Sequence, residues 1–136
     1  MKTEKKIRIL LAKVGCDIHE RGPLTLMTAF RDAGMEVIYT GRYQSPEGVA
    51  KAAVAEGVDI IALSDHTGSM PIIAESVLES LKNLGAGDIH VMAGGLILPQ
   101  DLEKLVKMGV SGNFGPGTPL AVIIEHTKGL AAGRIS

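Results

Sequence analysis

Apolar positions along the chain gather in five short runs: residues 7–12 (IRILLA), 35–39 (MEVIY), 58–63 (VDIIAL), 89–93 (IHVMA) and, most weakly, 110–114 (VSGNF). Each run is too short for a helix and apolar on both of its alternating faces, the pattern of a strand buried inside a parallel sheet. Amphipathic stretches with helix start and stop signals lie between them. Residues 23–33 carry Pro23 near the first turn and close at Gly34. Residues 46–56 follow Ser45 as candidate N-cap, with Pro46 at the first helical position and Gly57 at the end. Residues 70–84 run to Gly85, and 99–108 begin at Pro99 and stop before Gly109. The last stretch, 119–131, places Thr118 as N-cap and Pro119 at the first turn.

Five β–α units in succession predict an α/β fold, because parallel strands are joined by right-handed crossovers that place helices on both faces of the sheet. With five strands the expected architecture is a flavodoxin-like, doubly wound sheet in the order 2-1-3-4-5, formed by residues 1–136 as one unit. In that order the chain winds in opposite directions from the first and third strands, which opens a crevice at their carboxyl ends where ligands bind. The loops after residues 12, 63 and 93 are therefore the places to look for chemistry.

Composition narrows the classes. Of 136 residues, 46% are hydrophobic but only 3% aromatic, so aliphatic side chains must build the core. A formal net charge of −1 gives no electrostatic reason to expect nucleic acid or an anionic membrane as partner. No apolar run approaches the roughly 20 residues that span a bilayer. The opening MKTEKKIRILLAK is interrupted by Arg8 and Lys13 and reads as a first strand rather than a signal peptide. The single cysteine allows no internal disulfide and fits a reducing cytoplasm, which is the expected location.

The crevice loops hold the polar and glycine residues. After the first strand come Lys13, Val14, Gly15, Cys16, Asp17, Ile18, His19, Glu20, Arg21 and Gly22; after the third, Ser64, Asp65, His66, Thr67 and Gly68; after the fourth, Gly94 and Gly95. Asp17-x-His19-x-x-Gly22, then 41 residues to Ser64, and 27 residues from His66 to Gly94-Gly95, resembles the cobalamin-binding signature DxHxxG…SxL…GG. DxHxxG alone arises easily by chance; three elements at matching spacing, each at the end of an expected strand, do not. The resemblance runs from about Ile7 to about Leu130.

What the resemblance implies is a base-off, His-on cobalamin site. His19 would be the lower axial ligand of cobalt, Asp17 its hydrogen-bonded partner, and Lys13 the residue that extends this chain and holds Asp17 ionised. Ser64, Gly94 and Gly95 are similar to residues that line the slot for the displaced nucleotide tail. Phe114-Gly115-Pro116-Gly117-Thr118 resembles the turn that closes it, with Arg21, Ile18, His66 and Gly68 nearby. Three positions depart from the family pattern: Ile18 stands where acyl-CoA mutases commonly have glycine, His66 where leucine is usual, and Pro23 follows the motif where a small or polar residue is usual. His66 can bond to the tail or floor the pocket, and the residues leave both open. Other readings are blander: His19 as a locally bonded loop histidine, Asp17 as a turn residue, Lys13 as a solvated lysine at a strand edge, and Cys16, His90 and His126 as structural residues.

The stretches 10–15, 31–41 and 114–119 look most like acyl-CoA mutases of the methylmalonyl-CoA and 2-hydroxyisobutyryl-CoA type. That resemblance implies a small subunit carrying adenosylcobalamin for radical isomerisation. A separate large subunit would supply the substrate-binding (β/α)8 barrel, which alone takes about 250 residues. It implies no catalytic residue on this chain and no activity without the partner. Alternatives are a glutamate mutase-like small subunit, a non-catalytic corrinoid carrier or B12-responsive module, and a flavodoxin-like domain for another ligand. Corrinoid methyl carriers usually have a helical domain before the motif, whereas about six residues precede the first expected strand here.

Overall fold

The computed structural model describes residues 6–13, 21–40, 45–115 and 117–133, with side chains in the first helix from residue 24 onward. Five parallel strands, β1 (Arg8–Lys13), β2 (Glu36–Tyr39), β3 (Ile60–Asp65), β4 (His90–Gly95) and β5 (Ser111–Phe114), form one sheet in the order β2-β1-β3-β4-β5. The helices are α1 (Arg21–Asp32), α2 (Pro46–Glu56), α3 (Met70–Asn83), α4 (Leu102–Met108) and α5 (Leu120–Ala131), with a 3-10 turn at Pro99–Asp101 leading into α4. The expected flavodoxin-like, doubly wound sheet and its strand order are what the structure shows.

The pleat sorts the strand residues into two cores. Leu10, Ala12, Ile61, Leu63, Val91 and Ala93 face α2, α3 and α4, where Val49, Ala53, Ile73, Val77 and Leu105 cover them. Ile9, Leu11, Ile60, Ala62 and Met92 face the other way, toward Phe30 of α1 and Leu130 of α5. Both faces are buried, which is why these strands read as continuous apolar runs rather than alternating ones.

Helix boundaries follow local chemistry. Ser45 caps α2 as expected, its hydroxyl accepting from the Gly48 N–H at 3.0 Å, and Gly57 closes the helix in the left-handed region. At α5 the expectation was different from the outcome. Pro119, not Thr118, is the capping residue, and the Thr118 hydroxyl instead donates to the Gly115 carbonyl at 2.8 Å, holding the preceding turn. The first helix also starts earlier than expected, at Arg21, so Arg21 and Gly22 belong to its first turn and not to the loop. Pro23 is tolerated there because the first N–H groups of a helix have no intrahelical acceptor.

The strands reach further toward their carboxyl ends than the apolar runs. Lys13 pairs with Ser64, Ser64 with Gly94 and Asp65 with Gly95, so these residues are the last rungs of the sheet rather than loop residues. β5, the weakest run, contains the reason for its weakness. Met92 aligns with Ser111 and Ala93 with Gly112, but Gly94 aligns with Phe114, a bulge that leaves Asn113 unmatched with φ of 52°. The extra residue turns Phe114 onto the α1/α5 face, beside Gly94.

Candidate cofactor site

At the carboxyl end of the sheet, on the α1/α5 side, a cavity of about 270 Å³ opens between strands and helices. Its floor is Leu11, Ala62, Ser64, Met92 and Gly94; its roof is Thr25 and Leu26 of α1 with Leu120 and Ile123 of α5; Phe114, Gly115, Gly117 and Thr118 form its outer wall. The slot is therefore a gap in the second core, placed where the crevice of a doubly wound sheet is expected.

Alternation along β3 decides what faces it. Ala62 and Ser64 fall on the slot side at successive pleats toward the carboxyl end, and His66, the first residue after β3, also lines the slot. Asp65, between them, is buried on the opposite side. Its carboxylate accepts from the Thr67 hydroxyl at 2.6 Å and the Ser69 N–H at 2.9 Å, tying the strand end to the start of α3. This fixes the register and with it the direction of Ser64 and His66. Two glycines keep the floor flat. A Cβ at Gly95 (φ +117°) would lie 2.1 Å from the Asp65 carbonyl oxygen, so only glycine lets β4 pass β3 here. A Cβ at Gly94 would meet the Phe114 carbonyl at 3.4 Å, at the very surface a ligand would use.

Of the residues singled out from the sequence, Ser64, His66, Gly94, Gly95, Phe114, Gly115, Gly117 and Thr118 converge on this one cavity. Gly68 does not line it: with φ of +82° it turns the chain toward Leu96 and Leu98, on the side of α3 and α4. Asp17, Ile18 and His19 lie outside the described residues, as do Cys16 and Pro116, and so does the side chain of Arg21, while Gly22 is described only through its helical backbone. Lys13 is not a solvated lysine. β1 is flanked by β2 and β3, and Lys13 is fully buried at its carboxyl end beside Ser64. A lysine is seldom buried to this degree without an anionic or polar counterpart.

The other histidines stand apart from the slot. His90 opens β4 at the opposite end of the sheet. His126 of α5 meets the Ser111 hydroxyl at 3.0 Å and packs edge-on against Phe114, with ring centroids 5.4 Å apart; desolvation by burial lowers its pKa from the usual 6.5. Sequence reasoning missed the apolar walls, Leu11, Thr25, Leu26, Ala62, Met92, Leu120 and Ile123. Ala62 alone carried a signal, a small residue two positions before Ser64 and so on the same face.

Aliphatic side chains from strands and helices line the slot, and polar and glycine residues lie where the strands end. Such a lining suits a flat aromatic group attached to a polar chain. Among the described residues no group of histidine, cysteine or carboxylate side chains could hold a metal ion by itself.

The B12 binding domain family matches residues 7–124, and the chain belongs to that cobalamin-binding family. It is similar to the "2-hydroxyisobutanoyl-CoA mutase small subunit" of Aquincola tertiaricarbonis, with 40% identity over 128 residues covering 94% of each chain. It is also similar to the "Pivalyl-CoA mutase small subunit" of Xanthobacter autotrophicus, with 38% identity over 93% of this chain and 84% of that one. Mitochondrial methylmalonyl-CoA mutase of Homo sapiens is 40% identical over 84% of this chain, which corresponds to 15% of the longer protein. In structure, a cobalamin-binding protein from Desulfitobacterium hafniense superposes with a TM-score of 0.78 at 21% identity, over 93% of this chain and 60% of that one. The chemotaxis protein CheY4 of Vibrio cholerae superposes with 0.67 at 12% identity, over 93% and 99%. These two likenesses establish the fold alone.

Proposed function

We propose that this chain is the cobalamin-carrying small subunit of a two-component, adenosylcobalamin-dependent acyl-CoA mutase, inactive until it meets a larger catalytic subunit. The observation that carries the reading is the slot: a largely apolar gap at the crevice, beside the strand that leads into Asp17-x-His19-x-x-Gly22. Its apolar depth fits a benzimidazole-like base, and Ser64 offers a hydroxyl to a ring nitrogen. Two relatives that match nearly end to end are named as small subunits of acyl-CoA mutases, which supports the division of labour.

His19 would hold the cobalt through its imidazole. Asp17 would accept its other N–H, fixing tautomer and ring orientation, and buried Lys13 would hold Asp17 ionised from the end of β1. Bound adenosylcobalamin supplies a homolysable cobalt–carbon bond for radical isomerisation. The chain's own part is to sequester the tail between α1 and α5, keep water from the base, and present the corrin at the carboxyl edge of the sheet. The partner would be a (β/α)8 barrel that binds the acyl-CoA, and the lone cysteine supports a cytoplasmic setting.

Cobalamin titration followed by visible absorption tests this reading on the intact chain and on His19→Ala. The expected result is a His-on spectrum that the substitution converts to base-off. Failure of the intact chain to bind cobalamin, with or without a candidate large subunit, would sink the proposal. Binding without activation of any mutase large subunit would leave a corrinoid carrier.

A further inference from the structure

We propose that His66 anchors the sugar-phosphate of the nucleotide tail, making it a residue that selects complete corrinoids over tail-less ones. The inference rests on the cobalamin reading above and adds a role for one side chain. It starts from the order of side chains along β3. Ala62 and Ser64 lie one pleat apart, about 6.6 Å for two strand residues, and His66 follows immediately after the strand ends at Asp65 and lines the same slot.

The chemistry changes along the same line. At depth the slot is bounded by Leu11, Leu26, Met92 and Ile123, which suit an aromatic base and nothing charged. A phosphodiester carries a full negative charge, and placing it among those residues without a partner would be strongly unfavourable. It must stay at the mouth when the base is seated. Among the described residues lining the slot there is no lysine, arginine or carboxylate, and His66 is the one ionisable side chain. An imidazole offers an N–H to a phosphate or ribose oxygen in either tautomer, and both ring nitrogens donate when it is protonated. The Asp65 contacts described above hold the strand end so that His66 cannot exchange faces with its neighbour.

The experiment compares three probes by visible absorption and equilibrium dialysis. Cobalamin and adeninylcobamide share the sugar-phosphate and differ in base; cobinamide lacks the nucleotide altogether. Thermal unfolding first confirms that His66→Leu and His66→Gln are folded. His66→Leu is expected to weaken cobalamin and adeninylcobamide by the same factor, roughly 10- to 100-fold for a hydrogen bond to a charged group. Cobinamide affinity should stay within about twofold, since the two sites of contact are then independent. His66→Gln, which keeps an N–H, should recover part of the loss. The inference is overturned if cobalamin affinity is unchanged, if cobinamide loses as much as cobalamin, or if the loss depends on which base is present. Failure of the unsubstituted chain to bind any of the three would instead remove the cobalamin reading itself.

Discussion

Gly95 offers the sharpest test of the architecture at the slot floor. Its φ of +117° lies where residues with a side chain are rarely found, and an added Cβ would sit 2.1 Å from the Asp65 carbonyl oxygen and 2.9 Å from its carbonyl carbon. Those atoms cannot give way easily. The Asp65 carbonyl accepts from the Leu96 N–H at 2.8 Å, Asp65 pairs with Gly95 in the ladder, and its carboxylate is bound to Thr67 and Ser69. Gly117 provides the control, with φ of +84° and nothing within 4 Å of where an added Cβ would lie. Gly117→Ala should cost only the backbone strain, about 1–2 kcal/mol. Gly95→Ala should cost that strain plus a steric conflict of about 1–3 kcal/mol, together about 2–5 kcal/mol. Against a typical domain stability of about 5–15 kcal/mol, that is a large fraction. Urea unfolding of the two variants measures the difference, provided the m-values stay equal. Equal destabilisation by the two substitutions would refute the reasoning, because it would mean that the close passage of β3 and β4 does not exist.

Three other outcomes follow from contacts already described. Ala62→Leu pushes a larger side chain into the slot rather than into packed core, so it should change stability by less than about 1.5 kcal/mol while reducing cobalamin binding at least tenfold in a spectroscopic titration. Asp65→Ala removes two hydrogen bonds to a buried carboxylate and should destabilise by about 1–3 kcal/mol, with Asp65→Asn milder, as read by denaturant unfolding. His126 has a folded-state pKa held below 6.5 by desolvation, so the unfolded chain binds more protons as pH falls below that value. Its contribution is complete above pH 6.5 and declines as pH drops toward the folded pKa. Melting temperatures of the intact chain and His126→Asn should therefore converge with acidification, and parallel curves would contradict it.

Much of this organisation was legible beforehand for definite reasons. Runs such as Ile9–Ala12 and Ile60–Leu63 can only be strands buried on both faces, and the Ser45-Pro46 and Gly57 signals bracket α2 at its observed limits. The crevice followed from strand order, and eight sequence-selected residues line it. The misses share a cause. Lys13, Ser64 and Asp65 are polar, so hydropathy ended the strands before them, whereas ladder pairing with neighbours carried the strands on. Lys13 read as either a partner of Asp17 or a solvated lysine at a strand edge, because its burial depends on which strands flank β1, and that is a tertiary fact. The bulge at Asn113 hides in a weak run, and the roof residues Thr25, Leu26, Leu120 and Ile123 become visible only when α1 and α5 lie over the sheet.

The slot interrupts one of the two apolar cores, and this has a consequence for the chain before it meets its cofactor. On the α1/α5 side Leu11, Ala62 and Met92 border open space. A ligand seated there completes the interior, so occupancy and folding are thermodynamically linked. At a free concentration one hundred times its dissociation constant, a ligand that binds only the folded state adds about 2.7 kcal/mol. Helices α1 and α5, which roof the gap, should then be the segments whose amide exchange slows most on loading. Cofactor scarcity would be felt first as loosening of that pair of helices, leaving the opposite layer intact.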